Sequence, residues 1–235
     1  MSKLKNGLTR YFTEDQLNKI STARVFIAGC GGLGSNVAHL LVRSGFLHFT
    51  LLDCDFVDES NLNRQFFFPD QTGMTKTEAL AQNLLRLEPD LDLNLLFMRY
   101  VPAPEHPADE QSPDRGLESL TEIITTDQNS VGPDDNADIL QGHDVFVEAF
   151  DSPESKALFV ASALKTGRPV ISASGIAGYG DTDTLTVSHP FSDLYLVGDG
   201  RTGIDSSPPL APRVNVAAAK QADLVLTLTL DGDIL

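Results

Sequence analysis

The chain has 235 residues, of which 41% are hydrophobic and 21% charged, enough for one large domain around a single buried core. With 33 acidic against 17 basic residues it carries a formal net charge of −16, which argues against broad contact with nucleic acid or an anionic membrane. Any anionic ligand must therefore be held by a local cluster of those few basic side chains.

The first predicted element is a buried strand over "RVFIAG", Arg24 to Gly29, short, rich in β-preferring residues and closed by glycine. A glycine turn follows, then "LGSNVAHLLVRSG", apolar at helical spacing and stopped by Gly45. "HFTLLDCD", His48 to Asp55, is the second strand. After a polar loop, "TKTEALAQNLLRLEP" is a helix with Leu80, Leu84, Leu85 and Leu87 on its apolar face and Pro89 at its end. "LDLNLLFMRYV" alternates as a third strand and "DVFVEAF", Asp144 to Phe150, is a fourth. A helix from about Pro153 to Thr166 and a fifth strand, "PVISASG" (Pro169 to Gly175), come next. Residues 178–200 read as hairpin strands, and the tail from Arg213 to Leu230 as a closing helix, although "LTLTL" keeps a strand reading open. This alternation implies a doubly wound, mainly parallel, Rossmann-like α/β sheet with a C-terminal antiparallel extension, in a single domain over residues 1–235.

Residues 102–135 stand apart. They hold nine acidic side chains against one arginine, half of the net charge, amid Pro, Ser, Asn and Gly. A solvated, flexible insertion on the rim of the sheet is expected there.

"GCGGLG", Gly29 to Gly34, places glycines at the three positions of GxGxxG between a strand and a helix. Gly29, Gly31 and Gly34, with Gly32 among them, let the backbone approach a phosphate, and the helix start offers free N–H groups and a positive dipole end. Asp53 lies 19 residues past Gly34 at the end of the second strand, where a carboxylate can accept hydrogen bonds from ribose hydroxyls. Asp55 belongs to the same candidate set. The other reading is a tight packing turn with a capping Asp, and these residues do not say which nucleotide is bound.

Beyond the acid, the residues carry a resemblance. "GCGGLGSN", "LLDCDFVDESNLNRQF", the lysine of "GMTKTEAL", "LEPDL", Asp151 in "VFVEAFDSPESK", "SASGIAGYG" and "APRV" cover nearly the whole chain outside the acid-rich stretch. Together they resemble the ubiquitin-activating-enzyme-like adenylyltransferases of the ThiF/MoeB/HesA superfamily. The spaced set D-x-D-x-V-x-x-S-N-L-x-R-Q is the specific part, and the short form without a zinc motif looks closest to the ThiF branch, which activates the thiamin sulfur carrier. The resemblance implies attack on the α-phosphorus of Mg-ATP by the C-terminal Gly-Gly carboxylate of a small ubiquitin-fold sulfur carrier, giving an acyl-adenylate and pyrophosphate. In that reaction Arg64 offers a planar fork for phosphate oxygens, Lys76 a point charge and Asn61 a neutral amide. Gln65 contributes or braces the loop. Asp151 matches the family's magnesium-coordinating acid, an oxygen ligand suited to that hard cation. The family's arginine that enters the neighbouring subunit's site of a homodimer usually sits in an Arg-Gln pair. This chain has "TRYFTEDQL" instead, with Arg10 as the candidate.

Plainer roles stand beside these: Arg64 as a solvated loop charge, Lys76 as a helix-surface residue, Asn61 as a turn or cap residue, Asp151 as the N-cap of the helix near Pro153. Phe66 to Phe68 read as core or dimer contact, with a base-stacking platform as the alternative. Cys30 and Cys54 are the only cysteines, so the later region where some relatives bond covalently to the carrier has no thiol, and the reaction is expected to stop at the acyl-adenylate. The five scattered histidines show no metal spacing with them, and zinc is not expected. With no signal-peptide pattern and no apolar run of spanning length, the expected compartment is the cytoplasm. An NAD-dependent oxidoreductase would share the glycine turn and Asp53 but leave Arg64, Lys76 and Asp151 unexplained. A non-catalytic scaffold for a ubiquitin-like partner is the other rival class, and a molybdopterin-type carrier or a tRNA-modification carboxylate are alternative substrates.

Overall fold

The computed structural model describes residues 2–100, 139–203 and 206–232, together with the backbone of 130–131. The helices α1 (Lys3–Leu8) and α2 (Glu14–Thr22) precede the sheet. The chain then alternates through β1 (Arg24–Ala28), α3 (Gly32–Arg43), β2 (His48–Asp53), α4 (Lys76–Leu85) and β3 (Asp92–Phe97). A short parallel pair follows, β4 (Arg99–Tyr100) and β5 (Ser130–Val131). The chain closes through β6 (Val145–Glu148), α5 (Pro153–Leu164), β7 (Val170–Ala173), β8 (Thr186–Phe191), β9 (Leu194–Gly198) and α6 (Ala211–Asp231).

Seven strands form one sheet in the order β3-β2-β1-β6-β7-β9-β8. All neighbours are parallel except β8, which returns antiparallel along β9 as the edge. The expected doubly wound sheet with an antiparallel extension is what the chain builds. β1 lies at its centre, and Val25 to Ala28 are fully buried. Because successive side chains alternate, Val25 and Ile27 join the core under α3, α4 and α6, whereas Phe26 and Ala28 face the second core, capped by Phe159 and Ala163 of α5. That two-sided burial explains why the strand reads as a continuous apolar run.

Several details depart from the sequence expectation. β2 stops at Asp53, because that side chain turns back to hold the backbone N–H of Asp55. The third strand divides: β3 follows β2, while Arg99 and Tyr100 pair with Ser130 and Val131. In α4, Leu80 and Leu84 are fully buried but Leu85 is 40% exposed, so it is not part of the apolar face. The "LTLTL" segment is helical: Thr227 and Thr229 donate their hydroxyls to the carbonyls of Asp223 and Val225 one turn back, which accommodates the threonines within α6. The acid-rich insertion expected over 102–135 lies outside the described residues, apart from the Ser130–Val131 backbone. Among the described residues no helix is long and apolar enough to cross a membrane.

Candidate active site

The strand order reverses direction between β1 and β6: β2 and β3 extend the sheet one way, β6, β7 and β9 the other. A crevice at the carboxyl ends of such a pair is where open α/β sheets bind ligands. The β1 end carries the glycine turn and the β6 end carries Asp151. The two ends are in van der Waals contact, for a β-carbon added at Gly29 would sit 2.6 Å from the Ala149 carbonyl oxygen, and the φ of Gly29 is +98°. A β-carbon at Gly34 would lie 1.8 Å from the Gly29 carbonyl oxygen. Both positions therefore require glycine. Gly31 caps α3 without any side-chain bond, which leaves the positive end of the helix open.

Asp53 organises this turn from beneath. It is 7% exposed, and its carboxylate accepts the Cys30 N–H at 2.7 Å and the Asp55 N–H at 2.8 Å. Burial raises its pKa, and the Lys76 charge with the two N–H bonds opposes that rise. Both oxygens thus already serve the protein, whereas Asp55 is the more exposed of the two acids. Lys76, the first residue of α4, is 7% exposed and not a helix-surface residue; its ammonium meets Asp55 Oδ2 at 2.7 Å. Burial alone would lower the Lys76 pKa, but the charges of Asp53, Asp55 and Asp151 carry it above its ordinary value.

The loop carrying Asn61, Arg64 and Gln65 is pinned over the glycine turn. Asn36 of α3 donates its amide to the carbonyls of Gly32 (2.6 Å) and Arg64 (2.9 Å), and Ser35 Oγ accepts the Phe66 N–H at 3.0 Å. From the other side, Asn83 of α4 donates to the Phe66 carbonyl at 2.8 Å. The aliphatic part of Arg64 packs beside Gly32 and the Gln65 amide beside Gly31. Arg64 Nη1 donates to the carbonyl of Ser60 and to Asn63 Oδ1. Burial lowers the Arg64 pKa, with Asp151 opposing, yet a guanidinium stays charged. Gln65 Oε1 is buried without a hydrogen-bond partner among the described residues. Asn61 does serve as a cap: its amide oxygen accepts the Asp58 N–H, closing a reciprocal box with Asp58. Phe67 belongs to the core, Phe66 stacks on His39 and Phe68 is partly exposed beneath Arg86.

Asp151 is exposed and is not the N-cap of α5. Ser152 occupies that position, its hydroxyl accepting the Ser155 N–H. The Asp151 carboxylate is left to act electrostatically on Arg64 and Lys76. An exposed carboxylate of this kind offers a hard oxygen donor and would suit a magnesium ion. Asp53, Cys54 and Asp55 also bring potential ligand atoms within 4.8 Å of one another, but Asp53 is engaged by N–H groups and Asp55 by Lys76. Burial raises the pKa of both thiols, Cys30 and Cys54, and disfavours the thiolate. Arg10 follows α1 on the exposed surface and forms no ion pair with these groups among the described residues.

Sequence reasoning gave no role to Ser35 and Asn36, although two polar residues at buried helix positions were a readable signal. It also missed Arg213 of α6. This residue is 4% exposed, pairs with Asp199 at 2.9 Å and donates to the carbonyls of Gly180 and Asp181. The pair lines a cavity of about 780 Å³ beyond β7 and β9. Asn63 reaches the Pro209 carbonyl at the margin of this region, so the cavity and the loop carrying Arg64 are neighbours.

The ThiF family model matches residues 5–230. The chain is 43% identical over 119 residues to ubiquitin-like modifier-activating enzyme 5 of Arabidopsis thaliana, covering 51% of this chain and 25% of that protein. It is 25% identical over 184 residues to tRNA threonylcarbamoyladenosine dehydratase of Haemophilus influenzae, covering 77% and 59%. These curated relatives are longer than the matched region, which spans a quarter of the first and under two thirds of the second. Among solved structures, the E. coli tRNA N6-threonylcarbamoyladenosine dehydratase complex with AMP matches with a TM-score of 0.75 at 19% identity, over 97% of this chain and 94% of that one. E. coli MccB with AMPCPP and MccA matches with a TM-score of 0.61 at 23% identity, over 93% and 59%. Likeness at these identities speaks for the fold. With a family match running through nearly all of its length, the glycine turn and the loop above it included, this chain belongs to the ThiF family.

Proposed function

We propose that the chain adenylates a carboxylate with ATP, and that the carboxylate is the C-terminus of a small ubiquitin-fold sulfur carrier, of thiamin type in the first instance. The observation that best supports this reading is Asp151, exposed beyond the end of β6 and released from capping duty by Ser152, with its charge acting on both Arg64 and Lys76. The triphosphate would lie at the open start of α3, its charge met by Arg64 and Lys76 and by the first-turn N–H groups. The carboxylate oxygen forms a bond to the α-phosphorus, and the bond from that phosphorus to the bridging oxygen breaks. Pyrophosphate departs with the electron pair, leaving an acyl-adenylate. Lys76 changes partner from Asp55 to a phosphate oxygen, which frees Asp55 for a ribose hydroxyl. Asp151 would hold magnesium, which when bound neutralises charge on the phosphates. Because no cysteine follows Cys54 in this sequence, we infer no thioester stage, and an external nucleophile releases AMP.

Three further elements belong to the same proposal: a homodimer in which Arg10 reaches the neighbouring site, a reducing cytoplasm that keeps both thiols free, and no nucleic-acid partner. A tRNA-borne carboxylate is the second reading, favoured by the near full-length likeness to the dehydratase fold and opposed by the net charge of −16. The test is exchange of labelled pyrophosphate into ATP, run with a panel of ubiquitin-fold carriers and with tRNA bearing a carboxylate modification. Exchange that needs a carrier with its terminal glycine intact supports the first reading, and exchange driven by tRNA supports the second. ATP binding without exchange under any condition points to a scaffold.

A further inference from the structure

A fully buried carboxylate lies three residues before Asp151. Glu148, the last residue of β6, is 0% exposed. Its Oε1 accepts the Phe150 N–H at 2.7 Å; its Oε2 accepts the Ser172 hydroxyl at 2.6 Å and the Lys156 ammonium at 2.5 Å. Its backbone carbonyl is held as well, by the Gln221 amide of α6. Among the described residues Lys156 is the one cation paired with it. A carboxylate out of water needs partners, and both oxygens of this one are engaged.

The consequence falls on the turn between β6 and α5. Ala149 is fixed to the nucleotide turn, donating its N–H to the Ala28 carbonyl at 2.8 Å with Gly29 packed on its own carbonyl. Phe150 is fixed by the Glu148 carboxylate. Asp151 follows, and Ser152 then starts α5, on whose first turn Lys156 stands. Every backbone position flanking Asp151 is thereby tied down while its side chain stays open. We propose that Lys156 and Ser172, acting through the buried Glu148 carboxylate, are positioning residues that set Asp151 for its metal; this rests on the reading of Asp151 as a magnesium ligand. Removing the Lys156 ammonium takes a partner from Glu148 Oε2 and leaves the carboxylate free to turn toward water. That turn weakens the Phe150 N–H bond and lets the backbone relax one residue from Asp151.

The test is calorimetric binding of the α,β-methylene analogue of ATP to the full chain, with and without Mg2+, alongside Mn2+ binding followed by electron paramagnetic resonance. Lys156→Met should cut the metal-dependent gain in affinity by about tenfold, the low end for residues that orient a metal ligand, and leave metal-free affinity near that of the wild type. The double variant Glu148→Gln/Lys156→Met removes both charges but keeps an acceptor for the Phe150 N–H, and should restore most of the gain. A purely structural role would instead lower both affinities together, or neither. Should Lys156→Met fail to fold, Ser172→Ala removes one of the three bonds to the carboxylate without upsetting the charge balance, and should show a smaller loss of the same kind. Full metal-dependent gain in whichever single variant folds overturns the proposal. A wild type that binds the analogue equally well with and without metal overturns the assignment of Asp151, and the proposal with it.

Discussion

Asn36→Ala tests whether the loop carrying Arg64 is held by α3. The Asn36 amide spans two carbonyls, Gly32 at 2.6 Å and Arg64 at 2.9 Å, from a position only 7% exposed. Each such bond is worth about 1 kcal/mol net, so losing both costs about 2 kcal/mol, from which about 0.6 kcal/mol is regained because alanine favours a helix interior over asparagine. A net loss of about 1.5 kcal/mol is expected, or a fall in melting temperature of about 3 to 6 °C for a chain of this size. Urea unfolding at neutral pH measures it, and the apparent KM for ATP should rise several-fold as the Arg64 backbone loosens. Asn36→Asp is the harsher variant, since it keeps the shape but sets a carboxylate against two carbonyl oxygens. It should fall below the alanine variant in stability. Stability within about 0.5 kcal/mol of the wild type for Asn36→Ala, the range of an ordinary surface substitution, would refute this account of the loop. So would an aspartate variant more stable than the alanine one.

Other outcomes follow from the same geometry. Gly34→Ala should not yield native protein, because its β-carbon would lie 1.8 Å from the Gly29 carbonyl oxygen; a soluble variant with a wild-type circular dichroism spectrum would contradict this. Asp151→Asn should lower pyrophosphate exchange on the order of 100-fold while leaving carrier binding intact in a pull-down, whereas unchanged exchange would remove Asp151 from the site. Asp199 has its pKa lowered from 3.8 to about 2: burial alone would raise it, but the Thr202 hydroxyl and N–H, the Arg201 N–H and the Arg213 charge together outweigh burial. A depressed carboxylate pKa stabilises the fold above the unfolded-state value and is lost as pH falls through the folded one. Asp199→Asn should therefore cost about 1 kcal/mol at pH 7, after discounting the full shift for screening in an open cavity, and the difference should vanish between about pH 4 and pH 2. Parallel urea titrations across that range check it, and a difference that persists at the acid end counts against the assignment.

What the sequence revealed depended on whether the physics was local. The β1 run, the glycine positions and the order of strands and helices are fixed by burial and backbone space, and each left a pattern in consecutive residues. Thr13 and Gln16 form a reciprocal capping box that announces α2, yet the apolar content of that region is low and periodicity does not mark it as a helix. Leu85 shows the limit of periodicity, since which leucines of α4 face inward depends on where α3 and the sheet lie. In the candidate site, Arg64, Lys76 and Asp151 are singled out by the resemblance of the motifs that hold them. The roles of Asn36, Ser172 and Lys156 depend on pairings 28, 24 and 8 residues apart, which only the folded chain brings together. Arg213 and Asp199 stayed hidden for the same cause.

The central claim is that a carboxylate oxygen attacks the α-phosphorus of ATP at this site. The most direct measurement uses a ubiquitin-fold carrier whose C-terminal carboxylate bears a heavy-oxygen label, incubated with the protein and Mg-ATP, with hydroxylamine to trap the activated acyl group. Mass spectrometry should then find one heavy oxygen in the released AMP, because the bridging oxygen of an acyl-adenylate comes from the carboxylate. AMP, or ADP, released without the label would mean that ATP is cleaved by another route and that carboxylate adenylation is not this chain's chemistry.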